Sequence, residues 1–360
     1  MHASIKNQVN TLNGCPFSRV IARILALVLL VLAVTSSSSA WAQVDRIVPI
    51  KGPTVIGKIT EIKRDSVTLE SSSGKQTFTI DRIGTLIFDA EPPQLTSGRR
   101  AAVEGNYEQA AQDLSGIDFS KAMRDFVKAD ALFYVARTEA ALALAGRGDI
   151  TEATRKMRGF AGANQQSIHF YSAAKIMGDL AVAEGKYDDA VKFYTFLANA
   201  PVPELKIEAE YLGGVAKLKQ GNAAEADASF TKVIGANVQS ELGAQLQTLA
   251  KTGKAVALAK QNKGSEAVAL VDSLITELNP DNSAIAAQVY NAQGASLEAI
   301  GDNEGAVLAY LHTHLMFSGQ SGPHAEALSR LIELWPKVGN PERANEARQE
   351  LQQRYPGWKK

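Results

Sequence analysis

The sequence predicts a mainly α-helical solenoid of about seven antiparallel helical hairpins, preceded by a small β-barrel or β-meander module. Three observations predict it. A short helix-breaking phrase, usually Gly followed five residues later by Ala, recurs seven times. Its Ala positions are Ala110, Ala153, Ala190, Ala226, Ala267, Ala306 and Ala344, at intervals of 43, 37, 36, 41, 39 and 38 residues. A period in this range marks stacked helical hairpins. Small and aromatic residues flank the phrase at helical spacing. Ahead of the first copy, residues 44–90 adopt the apolar/polar alternation of half-buried strands.

Residues 1–42 read as a secretory signal. Lys6, Arg19 and Arg23 supply positive charge, and no acidic residue occurs before Asp45. An apolar run follows from Ile24 to Val34, and Ala40-Trp41-Ala42 forms an A-x-A cleavage site. The run is short for a membrane span, which needs about 20 residues. Cleavage after Ala42 and export to the periplasm or cell envelope are expected. Membrane contact is expected only if the segment stays uncleaved as an anchor.

The 360-residue chain is 45% hydrophobic and 21% charged, enough for a substantial core. It carries 38 basic and 38 acidic residues; losing the signal leaves 35 basic against 38 acidic. That balance gives no support for nucleic acid as a partner, whose footprint is a basic excess. Cys15, the single cysteine, lies within the signal. The mature chain must therefore hold together by packing, without disulfides.

Residues 43–92 are expected to form an all-β module. Five short strands are predicted at about 45–50, 54–62, 66–71, 75–80 and 84–88. Val67-Thr68-Leu69 and Phe78-Thr79-Ile80 alternate with period two, and Leu86-Ile87-Phe88 is a further apolar run. Turn residues separate them at Gly52-Pro53, Arg64-Asp65, Ser71 to Gly74 and Gly84. A meander this short must curl or dock on helices to bury its apolar face. The rhythm resembles SH3-like and Sm-like modules. It lacks the aromatic platform of an RNA reader, so a cap on the first repeat is the simpler role. Glu91-Pro92-Pro93 ends it.

The hairpins occupy residues 93–358. The turn copies are Gly105-x-Tyr107-x-x-Ala110, Gly148 to Ala153, Gly185-x-Tyr187-x-x-Ala190, Gly221 to Ala226, a degenerate Asn262-x-Gly264-x-x-Ala267, Gly301 to Ala306 and Gly339 to Ala344. In the third, fourth and sixth units a Gly lies seven residues before the turn Gly: Gly178, Gly214 and Gly294. An aromatic lies four residues after the Ala: Tyr194, Phe230 and Tyr310. A Gly on the first helix admits close approach, and the Ala–aromatic pair on the second fills the gap. Val271 and Arg348 stand where the aromatic belongs in units five and seven. Pro201, Pro280 and Pro356 are expected to end second helices, since proline lacks the N–H and fixes φ.

This pattern resembles the tetratricopeptide repeat family, with intervals longer than its usual 34 or so residues. With the signal, the β module and the His/Trp-rich end, the chain also looks like a group of exported repeat proteins of planctomycete-type bacteria. The resemblance implies a groove lined by first helices that accepts extended protein segments. It implies no cofactor. The outward positions would include Ser172, Lys175 and Asp179, then Glu208, Tyr211 and Val215, then Gln288, Asn291 and Glu298. Of these, Lys175, Asp179, Tyr211, Asn291 and Glu298 are the candidate partner-binding residues. They form no basic clamp for an acidic tail.

Candidate chemistry is sparse. His312, His314, His324 and Glu326 carry zinc-ligand types. On a helix, residues two apart point about 200° apart, so the first two histidines could share an ion only across a helix break. Packing between the last repeats is the simpler reading, and no metal is expected. Lys251-Thr252-Gly253-Lys254 lacks the Ser/Thr and early Gly of a phosphate loop and should lie inside a first helix. The function predicted is a non-enzymatic exported scaffold or adaptor that binds protein or peptide segments. The alternatives are a metal- or carbohydrate-associated envelope protein centred on the histidines, or a self-associating structural component.

Overall fold

The computed structural model describes residues 44–279 and 281–358. The signal reading of residues 1–42 and the role assigned to Pro280 lie outside the described residues. Five strands come first: β1 (Asp45–Pro49), β2 (Val55–Lys63), β3 (Ser66–Ser71), β4 (Gly74–Thr79) and β5 (Ile83–Ile87). They form one antiparallel sheet in the order β4-β3-β2-β1-β5. A 3₁₀ turn, Ile80–Arg82, joins the two edge strands.

The barrel alternative is corrected here: β4 and β5 do not pair, so the sheet is open. Its shape follows from chain length. Five flat strands about 4.8 Å apart would put the edges roughly 19 Å apart. The step from Thr79 to Ile83 spans at most about 14 Å, so the sheet must curl. The inner face is completed by helices instead of by a β4–β5 ladder. Ile47, Ile59, Val67, Leu69, Leu86 and Phe88 share one buried cluster with Leu95, Ala102, Val127, Phe133 and Phe160. The outer edge, β4, is mostly exposed and carries Lys75, a charge that discourages edge-to-edge pairing.

Fourteen α-helices follow among the described residues, arranged as seven hairpins. They are α1 (Pro93–Val103) with α2 (Tyr107–Ser115), α3 (Asp125–Leu144) with α4 (Ile150–Ala163), and α5 (Phe170–Ala183) with α6 (Tyr187–Ala198). Next come α7 (Pro203–Gln220) with α8 (Ala223–Ile234), and α9 (Glu241–Lys260) with α10 (Gly264–Glu277). The last are α11 (Ser283–Ala299) with α12 (Asn303–Met316), and α13 (Ser321–Leu334) with α14 (Pro341–Arg354). Helix α6 ends at Ala198 before Pro201, and α14 ends at Arg354 before Pro356, as a proline stop requires.

The turn phrase is a left-handed backbone step. Gly105, Gly185, Gly221, Gly301 and Gly339 all have φ between 74° and 94°. Asn262 takes that conformation in the degenerate fifth copy, at φ 61°; Asn tolerates it better than other side chains. In the second unit Gly146, not Gly148, is left-handed, at φ 72°. Two extra residues then let Asp149 cap α4 by accepting from the N–H groups of Thr151 and Glu152.

The seven Ala positions are buried. Tyr187 sits half-buried at the first position of α6. The three helical Gly residues that lie seven before a turn Gly each face an aromatic ring. A Cβ on Gly178 would lie 2.2 Å from Tyr194, one on Gly294 2.5 Å from Tyr310, and one on Gly214 2.8 Å from Phe230. Phe230 also fills the space beside Gly253, where a Cβ would meet it at 2.6 Å. Gly253 thus serves packing inside α9. Val271 is fully buried at the aromatic-free fifth unit.

Candidate functional site

Three polar constellations emerge from this framework. The first lies along the first helices of successive hairpins. Lys175 on α5 pairs with Glu208 on α7 at 2.9 Å. Burial alone would lower the Lys175 ammonium; Glu208 and Asp179 outweigh it and raise it. Asp179 accepts from Tyr194 Oη at 2.8 Å. Burial pushes its carboxyl up despite Lys175 nearby. Glu298 accepts from Tyr310 Oη at 3.0 Å and from Arg330 Nε at 3.0 Å, linking α11 to α12 and α13. Tyr211 is half-buried, its ring 6.0 Å from that of Phe230, and burial raises its hydroxyl to about 12.

Among the five candidate partner-binding residues, Asn291 is the most enclosed, at 5% exposed. Its Nδ2 donates to the Pro323 carbonyl at 2.8 Å, while Oδ1 has no partner among the described residues. Asp179 and Glu298 are occupied by neighbouring hydroxyl or guanidinium groups. On this face Ser172 is exposed, and Lys175 and its bridge partner Glu208 are partly exposed.

The second constellation joins the sheet to the helices. Asp45, fully buried, accepts from Ile59 N and Asp89 N, each at 2.8 Å, and from both terminal nitrogens of Arg124. Beside it Arg99 bridges Glu91 and Asp130, each at 2.8 Å, with all three side chains at most 5% exposed. His169 Nε2 lies 2.7 Å from Asp130, and its ring stacks on Phe133 at 4.0 Å. Desolvation would push Asp130 up, but Arg99 and His169 prevail and hold it below the ordinary carboxylate range. A cavity of about 420 Å³ opens against this pair, walled by Ile62, Leu86, Phe88 and Phe126. Sequence reasoning missed it. The available signal was Asp130, an acidic residue flanked by Ala129 and Ala131 ahead of the apolar stretch Leu132 to Val135.

The third constellation is the histidine cluster. His312 is not part of it: its ring stacks on Tyr290 at 3.8 Å. Glu326 is not either; it approaches Asn291 at 3.3 Å. His314 Nδ1 and His324 Nε2 are 2.8 Å apart, and His324 Nδ1 is 2.8 Å from Tyr355 Oη. Glu350, unmarked in the sequence reading, lies 3.8 Å from His324 Nε2.

No protein-family model and no curated protein matches the chain. Among solved structures, it is similar to a tetratricopeptide repeat protein from Parabacteroides merdae. The TM-score is 0.53 at 16% identity, covering 74% of this chain and 93% of that one. The fold is that of tetratricopeptide repeats. Two further likenesses fall below this level. One is to a Rap protein complexed with competence and sporulation factor, at TM-score 0.49 and 13% identity, covering 72% of this chain and 75% of that one. The other is to the APC/C hetero-tetramer Cut9–Hcn1, at 0.48 and 15%, covering 73% and 46%. The tetratricopeptide-like hairpins have longer helices than a repeat of about 34 residues allows: α3 and α9 have 20 residues each. No helix among the described residues is long and apolar enough to cross a membrane.

Proposed function

We propose that this chain is an exported, non-enzymatic scaffold or adaptor that binds protein segments along the first-helix face of its hairpins. The observation that carries the reading is the continuous run of seven hairpins, a tetratricopeptide-like array that offers an extended surface in place of a single pocket. The chemistry of that surface fits an extended polypeptide. The partly exposed Lys175–Glu208 bridge offers one charge of each sign to such a segment. Export rests on the N-terminal charge and A-x-A pattern alone. The periplasm or envelope is the compartment this implies.

A peptide-display selection against the full chain tests it, followed by titration of the selected peptides. The double variant Ser172→Arg/Lys175→Gln alters the face without setting a new carboxylate against Glu208 and Asp179. Tyr211 and Asn291 are unsuitable probes because both pack inside. Selected peptides should bind the wild type and lose at least tenfold in affinity with the variant. Equal binding to both would move the site off this face, and failure to select any peptide would count against the adaptor reading.

A further inference from the structure

Among the described residues, the one group of metal-ligating side chains drawn together is His314, His324 and Glu350, with ligand atoms all within 4.8 Å of one another. They come from three helices: the last turn of α12, the first turn of α13 and the penultimate turn of α14. Chain separation therefore gives no local reason for their meeting. We propose that these three side chains form a binding site for a divalent transition ion of the zinc class, which staples the last two hairpins.

The donor set is two imidazoles and one carboxylate, a combination that binds zinc with a fourth position left open. The outer partner is also in place. Zinc-bound imidazoles usually donate their second N–H to a fixed acceptor, which sets the tautomer. Here His324 Nδ1 lies 2.8 Å from Tyr355 Oη; in the tautomer that carries its proton on Nδ1 this hydroxyl is the fixed acceptor, and the Nε2 lone pair faces His314 and Glu350. His324 is wholly buried, whereas the His314 and Glu350 side chains are 24% and 33% exposed. An ion can enter from the side those two leave open, and water can take the fourth position.

The distances require small movements. A tetrahedral ion with Zn–N of about 2.0–2.1 Å places two nitrogens roughly 3.3 Å apart. The His314–His324 contact is 2.8 Å, held by a shared proton, and His324 to Glu350 is 3.8 Å. Each must change by about half an ångström. His314 moves its proton from Nδ1 to Nε2, so no net proton is lost. Burial, with Arg354 and His314 adding to it, lowers His324 to about 4. Arg354 opposes the ion electrostatically, but its nitrogens are already engaged by Glu350 and the Ser318 carbonyl, each at 3.0 Å.

Calorimetric titration of the chelator-stripped full chain with Zn²⁺ tests the site, with Co²⁺ as a spectroscopic probe. The expected result is one ion per chain, visible Co²⁺ bands of tetrahedral intensity and a raised unfolding temperature. His314→Gln and Glu350→Gln lie at the rim, so far-UV circular dichroism should be unchanged while affinity falls at least tenfold. Tyr355→Phe should weaken binding about tenfold through the tautomer. His312→Gln, on the other side of α12, should change nothing. Absence of stoichiometric binding, or equal affinity in the His314 and Glu350 variants and wild type, would overturn the site.

Discussion

Gly213 and Gly214 are adjacent in α7 and do opposite things. A Cβ on Gly214 would lie 2.8 Å from the buried Phe230 ring, whereas one on Gly213 would meet nothing within 4 Å. Phe230 cannot yield easily, because Gly253 hems in its far side. Gly214→Ala should therefore cost about 1–3 kcal/mol by overpacking. Gly213→Ala should stabilise by roughly 0.5–1 kcal/mol by restricting the unfolded chain. Urea unfolding of the pair decides it; two changes of the same sign would show that the aromatic contact does not set the helix separation. Asp179 gives a second prediction. Its folded-state pKa is raised, chiefly by burial. Relative to Asp179→Asn, the wild type should then gain stability as pH falls through that pKa to below about 3.8, and lose it as pH rises through it. Paired thermal melts across acid and neutral pH would show the opposite slope if the carboxyl were stabilised as an anion. These local features were legible in the sequence because each joins residues on one hairpin: Gly178 with Tyr194, Gly214 with Phe230, Gly294 with Tyr310. The Gly148 assignment slipped by two residues because the pattern fixes a spacing, not a dihedral angle. The Arg99–Asp130–His169 network was not legible. Its members are 31 and 39 residues apart and meet only after hairpins stack.

At the scale of elements, the junction between sheet and hairpins turns on Asp45. One buried carboxylate takes two backbone N–H groups and a guanidinium, tying the start of β1 to β2, to the end of the sheet and to the entrance of α3. Asp45→Ala removes the acceptor of Ile59 N and Asp89 N and the buried carboxylate that Arg124 engages. The expected loss is about 3–5 kcal/mol, and a double-mutant cycle with Arg124→Ala should show strong coupling. Additive losses would mean that the sheet is held by apolar packing alone. The strands were readable from alternation, and each predicted range falls within two residues of its observed bounds. Closure was not readable, since it depends on whether two edges 3₁₀-linked at Ile80–Arg82 pair with each other or leave the gap to helices. The histidine site divides the same way. His314 and His324 stood out as residue types, but Glu350 sits on α14 in an ordinary polar helix sequence and is identified only by the packing of three helices.

At the scale of the molecule, hairpins in a solenoid touch their neighbours in sequence, so distant repeats stay apart. One contact departs from this. Gly357, after α14, lies against Gly146 in the turn of the second hairpin; a Cβ on Gly357 would be 3.1 Å from Gly146 Cα. The end of the array thus returns to near its beginning, across the span of the intervening hairpins. Both residues are glycines at the contact, which allows the two backbones to meet without side chains between them. Tyr355, two residues earlier, is held by His324, so the seventh hairpin positions the segment that makes the return. Spin labels at Ala145 and Trp358 should report one short, narrow distance in the wild type. Gly357→Trp should broaden and lengthen it, because the new side chain has no room against Gly146, while leaving helix content unchanged. A long distance in the wild type would make the array open-ended. A short one means that a bound segment must thread between the joined ends or part them, and peptide association should then be faster in the Gly357→Trp variant than in the wild type.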